Sequence, residues 1–334
     1  MTFIIRSPRL KRLGSSCLLI AGLLLCGPDA GSQNRASSPA QSTTGAAPAI
    51  SVSTELVVLP VRVTDSKGNV LLGLSRENFQ VYEDGRLQNI TMFQQRDAPV
   101  SVGLVVDHSR SMASKLPEVA DAVSSFARSS NPHDEMFVVD FNDDVTVELM
   151  GGKAFTNDPQ ELALAVSSVR ARGQTALYDA VAEGLLHLQL GRSDKKALIV
   201  VSDGGDNASR EKFSQILALA QQSQVLIYSI GLIGDDGEVA PGVLRRLSKV
   251  TGGIAYFPDR TNSVTSISGQ IARDLREQYT LGFAPEKTNQ AHAFRKIEVK
   301  VAAPGRGKIL VQTRSGYYPA EEKPAPAQAT KGSQ

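Results

Sequence analysis

Hydrophobic and polar positions follow three textures along the chain. Over residues 53–96, short apolar runs are separated by turn residues. Leu56-Val-Val-Leu-Pro-Val-Arg-Val63 is a strand-like run, Asp65-Ser-Lys-Gly68 a turn and Phe79-Gln-Val-Tyr82 a second strand. Glu83-Asp-Gly85 is a tight turn and Ile90-Thr-Met-Phe93 a third strand. Proline has no N–H to donate, so Pro60 places the first strand at an edge or a bulge. From Val100 to about Leu275 the texture changes. Apolar runs at Val102–Val106, Met136–Phe141, Val145–Leu149, Ala197–Val201, Val225–Ile230 and Ile254–Phe257 read as strands. Amphipathic stretches lie between most of them, at Leu116–Phe126, Glu161–Val169, Ala176–Leu190, Phe213–Ala220, Val243–Val250 and Val264–Leu275. That alternation predicts a mostly parallel sheet with helices on both faces. The link Asn142-Asp-Asp144 is too short for a crossover and predicts an antiparallel hairpin.

After Leu275 strand texture returns at Gln278–Phe283, Arg295–Val301 and Ile309–Thr313, with Pro304-Gly305 as a turn. Neither β-rich flank has enough strands to close a core alone. The expected solution is one β-sandwich assembled from 53–97 and 277–318, with the α/β unit 98–276 inserted between them. Two separate small β units would leave exposed edges.

The ends of the chain read differently. Residues 1–30 have a cationic start (Arg6, Arg9, Lys11, Arg12), then the apolar run Cys17–Leu25, then small residues: the order of a secretory signal. The run is shorter than the roughly 20 residues a membrane span needs. Ala30-Gly31-Ser32 offers a cleavage site. In a lipoprotein reading Cys26 would carry the lipid, but Leu25 directly before it fits that processing poorly. Residues 31–52 read as a flexible linker and 319–334 as a disordered tail. The expectation is an exported protein of the periplasm, cell envelope or exterior, touching membrane only through its signal or a lipid on Cys26.

Composition narrows the function classes. The formal charge of +2 comes from the signal: without residues 1–30, 32 basic and 33 acidic residues remain, a net of −1. A near-neutral body argues against a nucleic-acid partner, which needs clustered cations. The two cysteines, Cys17 and Cys26, both lie in or beside the signal. Disulfides, thiol catalysis and cysteine-ligated zinc are thereby excluded from the mature chain.

The candidate chemistry begins at Leu104-Val-Val-Asp107-His-Ser109-Arg-Ser111, an apolar strand ending in an acid with hydroxyls at +2 and +4. In open α/β sheets ligands bind beyond the carboxyl ends of strands. One carboxylate with two hydroxyls is a hard-oxygen set suited to Mg²⁺, Mn²⁺ or Ca²⁺. A plain helix cap would also explain either serine. Two further pieces add weight. Gly173-Gln-Thr175 sets a hydroxyl at the start of a helix, and Leu198-Ile-Val-Val-Ser-Asp203-Gly-Gly205 is a second apolar strand ending in an acid.

In these residues the chain resembles the von Willebrand factor A family over about 98–276. The family's metal-ion-dependent adhesion site combines D-x-S-x-S, a Thr and a later Asp, matched here by Asp107, Ser109, Ser111, Thr175 and Asp203. The resemblance implies a doubly wound, Rossmann-like α/β fold. It implies a divalent cation, Mg²⁺ before Mn²⁺ or Ca²⁺, held by the three hydroxyls and, directly or through water, by the two acids. The partner implied is a protein or peptide offering Asp or Glu to the open metal position. The flanks, with Glu83-Asp-Gly85 and Arg314-Ser-Gly-Tyr-Tyr318, resemble an acidobacteria-type subgroup of secreted bacterial proteins carrying this domain.

Other motifs are weaker. Asp140-Phe-Asn142-Asp-Asp144 imitates an EF-hand start but has Val145 and Gly151 where Gly and an acid are needed, so it reads as a hairpin turn. Val200 breaks a nucleophile elbow at Ser202. His108 reads as a surface loop residue, and His133, His187 and His292 as structural or solvated. Asp206 could support the site from behind its ligands, but turn chemistry is the reading preferred. The leading expectation is a non-enzymatic, metal-dependent adhesion module. The alternatives are a Mg²⁺-dependent hydrolase or phosphatase using Asp107 or Ser109, and a structural envelope protein with a stabilising metal.

Overall fold

The structure, a computed structural model, describes residues 56–319 apart from 236, 238–239, 260–262 and 287–292. The expected signal, the linker, the tail beyond Pro319, both cysteines and His292 lie outside the described residues. Among the described residues no helix is long and apolar enough to cross a membrane.

The first flank supplies β1 (Val57–Asp65), β2 (Phe79–Glu83), β3 (Arg86–Gln88) and β4 (Ile90–Gln94). The α/β unit follows: β5 (Val100–Asp107), α1 (Leu116–Ser129), β6 (Glu135–Phe141), β7 (Val145–Glu148), α2 (Pro159–Ser167) and α3 (Leu177–His187). It continues with β8 (Lys195–Ser202), α4 (Phe213–Gln222), β9 (Leu226–Gly231), α5 (Pro241–Thr251), β10 (Ala255–Tyr256) and α6 (Val264–Arg276). The second flank holds β11 (Tyr279–Phe283), β12 (Arg295–Val301), β13 (Ile309–Gln312) and β14 (Gly316–Tyr317).

The central sheet runs β10-β9-β8-β5-β6-β7, parallel except for β7. Every residue of β5 and β6 is buried, which is why these strands read as continuous apolar runs. Alternate side chains serve opposite faces. Val102, Leu104 and Val106 pack with Val119, Val123, Ile267 and Ile271 of α1 and α6. Val105 joins Val181, Leu185, Ile216 and Leu244 of α3, α4 and α5 on the other side. The Asn142–Asp144 link makes the expected antiparallel β6–β7 hairpin. The chain leaves β5 toward β6 and later returns to β5's other side as β8. The crevice between β5 and β8 is therefore the point where strand order reverses.

The flanks form two further sheets, β13-β1-β11-β4 and β14-β12-β2-β3, each mixing strands from both ends of the chain. Leu59, Val61, Val81, Tyr279, Leu281 and Ile297 share one core between them, with Phe79 and Tyr279 rings 4.9 Å apart. The α/β unit is thus inserted into a sandwich that both flanks build. Pro60 pairs with Thr280 of β11, while its carbonyl accepts from Thr313 Oγ1 on the other side at 2.8 Å. A strand residue's N and O point the same way, so the missing N–H faces the side where β1 has no strand neighbour. The short strands β3 and β14 were not among the expected elements. β3 pairs with β2, and one residue later, past Asn89, the chain crosses to the opposite sheet as β4.

Sandwich and insertion are fastened by buried polar contacts. Arg62 Nε of β1 meets Asp274 Oδ1 of α6 at 3.0 Å, and Tyr256 OH donates to Asp274 Oδ2 at 2.9 Å. Arg314 donates to the Gln221 and Ser223 carbonyls at the end of α4, at 2.6 and 3.2 Å.

Candidate functional site

Asp107 is the last residue of β5 and has no exposed surface. Its Oδ1 accepts from the Ser109 N–H at 2.8 Å, which turns the chain back over the strand end. Its Oδ2 accepts from Ser202 Oγ, at the end of β8, at 2.6 Å. The turn brings the Ser109 and Ser111 hydroxyls to 3.1 Å from each other. Ser111 Oγ then donates to Asp203 Oδ2 at 2.8 Å. Asp203 Oδ1 accepts from the Gly205 N–H at 2.9 Å. Gly204 between them has φ +85°, and a side chain there would meet the Ala240 carbonyl at 2.8 Å, so this turn requires glycine.

Thr175 comes from the loop before α3. Its N–H donates to Asn207 Oδ1 at 2.9 Å, and its carbonyl accepts from the N–H groups of Asn207 and Ala208. Ser109, Ser111, Thr175 and Asp203 line one cleft of about 520 Å³ at the β5/β8 crevice, and Asp107 lies beneath it. Burial pushes the Asp107 carboxyl up to about 6, against the hydrogen bonds from Ser109 and Ser202, and the neighbouring Asp203 charge adds to the rise.

Several supporting residues escaped the sequence reading. Ser202 is fully buried and spends its proton on Asp107 while accepting from the Gly204 N–H at 3.0 Å, so it braces the acid and is no nucleophile. Asn207 fastens the Thr175 loop. Asp235 accepts from the Ser114 N–H at 3.1 Å, and its own N–H donates to the Ser111 carbonyl at 2.6 Å. Asp206, already considered in the sequence, holds the start of α3, accepting from the Tyr178 N–H and Ser209 Oγ.

His108 is corrected: it is fully buried, not a surface loop residue. Its Nε2 faces the Val166 carbonyl at 2.8 Å, its Nδ1 faces the Val106 carbonyl at 3.3 Å, and the Asp140 carboxylate of β6 abuts Nδ1. Burial by itself pulls the His108 pKa down. Asp140 and the two carbonyls outweigh it, so the net direction is up. Asp140 is therefore the buried partner of the His108 ring, and Asn142 Oδ1 accepts from the Asp144 N–H in the expected hairpin turn. His187 packs its ring 4.2 Å from Phe137, and His133 is exposed.

An open, parallel-rich α/β sheet whose strand order reverses at a hydroxyl–carboxylate cleft has the architecture of the doubly wound class. The family model for the von Willebrand factor type A domain matches residues 101–270, just over half the chain, and the chain belongs to that family. Among solved structures it is similar to a von Willebrand factor type A protein from Catenulispora acidiphila. That match has 12% identity, 73% of this chain and 74% of that one covered, and a TM-score of 0.48. It is also similar to the vWF domain of a type V pili tip protein from Porphyromonas gingivalis (12% identity, 58% and 99% covered, TM-score 0.44). A third similar structure is the conserved hypothetical protein BatB from Bacteroides thetaiotaomicron (17% identity, 53% and 97% covered, TM-score 0.44). No curated protein matches the chain.

Proposed function

We propose that the cleft holds one divalent cation through Asp107, Ser109, Ser111, Thr175 and Asp203, and that the cation captures a carboxylate of a protein partner. The observation that carries this reading is the chain of oxygens from Ser109 through Ser111 to Asp203, spaced 3.1 and 2.8 Å across two neighbouring strands. Ligands at right angles on an ion with bonds of 2.0–2.1 Å stand about 2.9 Å apart, which suits an ion of the size of Mg²⁺. Among the described residues no group of three or more His, Cys, Asp or Glu side chains gathers as a metal site. The hydroxyls would therefore supply much of the shell, and they add no charge. Two carboxylates balance a divalent ion and leave it able to attract a third from outside. Asp107 would act from below, since each of its oxygens keeps a lone pair beyond the bond it already accepts.

This reading makes the protein an exported binding module and not an enzyme. A nucleophilic serine needs a positioned base. Ser109 Oγ faces Ser111, Ser202 serves Asp107, and both ring nitrogens of the nearby His108 lie against carbonyls.

Calorimetric titration with Mg²⁺, Mn²⁺ and Ca²⁺ tests the site. The expected result is one ion per chain, with binding lost in Asp203→Ala and weakened less in Ser109→Ala, which removes a neutral ligand. Loaded protein should retain an immobilised Asp- or Glu-bearing peptide and release it to chelator, while the Asn or Gln peptide is ignored. Unchanged ion binding in Asp203→Ala overturns the site, and turnover of a generic phosphoester favours the hydrolase.

A further inference from the structure

At the other end of the central sheet, a cleft of about 970 Å³ opens between the starts of β6 and β8 and the outer face of the sandwich sheet that contains β1, β11 and β4. Its volume is in the range of small-molecule sites. One wall is apolar. Val58 and Met92 both pair with Gly282, one on each side of it, so their side chains stand on the same face. Leu56 and Met92 close over Gly282, within about 3 Å of where a side chain would begin.

The facing wall is polar, and its charges are unevenly used. Asp134 is occupied by the Val100 and Asn131 N–H groups at 2.8 and 3.0 Å. Glu135 accepts from Ser101 Oγ at 2.7 Å and from the Arg192 backbone. Asp97 faces Arg276 at 4.0 Å. Lys195 lines the same cleft, and its ammonium nitrogen is buried with no hydrogen-bond partner among the described residues. An ammonium withdrawn from water without a partner is strongly unfavourable. Burial pushes the Lys195 pKa down; the Asp97 and Asp134 charges oppose it and the Arg96 charge, on the same cleft, adds to it, so the net direction is down. Lys195, Arg96 and Arg192 thus line a cleft beside an apolar wall; Arg192 is paired with Glu135, Asp134 and Asp97 hold other partners, and Asp194 also lines it.

We propose that this cleft is a second binding site, for a small amphiphilic carboxylate or phosphate ester. The anionic head pairs with Lys195 and Arg96, and the apolar body lies on Leu56, Val58 and Met92. The site is separate from the cation cleft at the opposite end of the sheet and does not depend on it.

Octanoate, octyl phosphate and octanol, titrated into the full-length protein and followed by calorimetry and thermal melts, test the proposal. The two anions should bind and raise Tm, with the stronger of them naming the head group, and octanol should do neither. Lys195→Met should weaken anion binding about tenfold or more, the equivalent of one charge-assisted hydrogen bond. Without any ligand, Lys195→Met should melt higher than the wild type, because an unpaired buried charge has been replaced by an apolar chain. Arg96→Ala, at an exposed position, should also weaken the anions, while Asp203→Ala should leave them unchanged. Octanol binding as well as octanoate, no binding of either anion, or wild-type anion affinity in Lys195→Met would each overturn the proposal. If Lys195→Met does not fold, undiminished anion binding in Arg96→Ala refutes it instead.

Discussion

The Asp107 carboxyl makes the metal-free protein sensitive to acid in an unusual direction. A buried acid held up to about 6, against an ordinary 3.8, keeps its proton in the folded state where the unfolded chain has lost it. Between about pH 4 and 6 the folded state therefore binds more protons, and stability falls as pH rises. The shift of roughly two units corresponds to about 3 kcal/mol, with no discount for solvent because the residue has no exposed surface. Asp107→Asn removes this titration. Its amide can still accept from the Ser109 N–H, and its NH₂ can donate to Ser202 Oγ once that hydroxyl turns away. In chelator, the variant should equal the wild type near pH 4 and exceed it by up to ~3 kcal/mol at pH 7. A divalent ion should reverse the order at pH 7, since it favours the ionised Asp107 and binds only the folded state. Urea melts at pH 4 to 8, with chelator and with Mg²⁺, measure all of this. His108 has the same sign in a higher window, because its raised pKa stabilises at low pH and the benefit is lost as pH climbs. That contribution is common to both proteins and cancels in the difference. A wild type that parallels Asp107→Asn from pH 4 to 7 in chelator would refute the assignment.

Two further outcomes are expected. Arg62→Ala leaves Asp274 buried with Tyr256 as its remaining side-chain hydrogen-bond partner, and should destabilise the protein by about 3 kcal/mol in chemical denaturation, whereas Arg62→Ala with Asp274→Asn should recover part of that loss. A fragment of residues 98–276 should fold cooperatively while 53–96 should not, and a sharp thermal transition in the 53–96 fragment would refute the shared sandwich.

What was legible in the sequence follows from which interactions are local. The inserted sheet announced itself because parallel strands buried on both faces read as unbroken apolar runs, and the β6–β7 hairpin because three residues allow nothing else. The acids at 107 and 203 and the hydroxyls at 109, 111 and 175 were visible because strand ends and turns fix their neighbourhood over a few residues. His108 was misread because its partner, Asp140, sits on the adjacent strand. Only the placement of β6 beside β5, at the register that pairs Val106 with Asp140, brings the two together. Ser202 and Asn207 were obscured in the same way: a serine before Asp-Gly and an asparagine in a turn look ordinary until strand order sets them against Asp107 and Thr175. β3 escaped because three residues with exposed Arg86 and Leu87 carry no alternating pattern.

The pairing of Gln94 with Thr280 has a consequence for how the chain is made. The two residues are neighbours in β4 and β11 but are separated by roughly two hundred residues of chain, so closing the sandwich first would carry the entropy of a very long loop. Folding of the inserted domain removes that burden by delivering its two ends side by side. During synthesis, at about 5–20 residues per second, the apolar strands Val57–Asp65 and Ile90–Gln94 wait on the order of ten seconds or more for Tyr279–Phe283 to emerge. Throughout that interval they are open strand edges with no partner. A nascent chain stalled anywhere within the insertion would therefore be a species prone to pairing with its neighbours, and β1 and β4 depend on the late-emerging β11 to cover them.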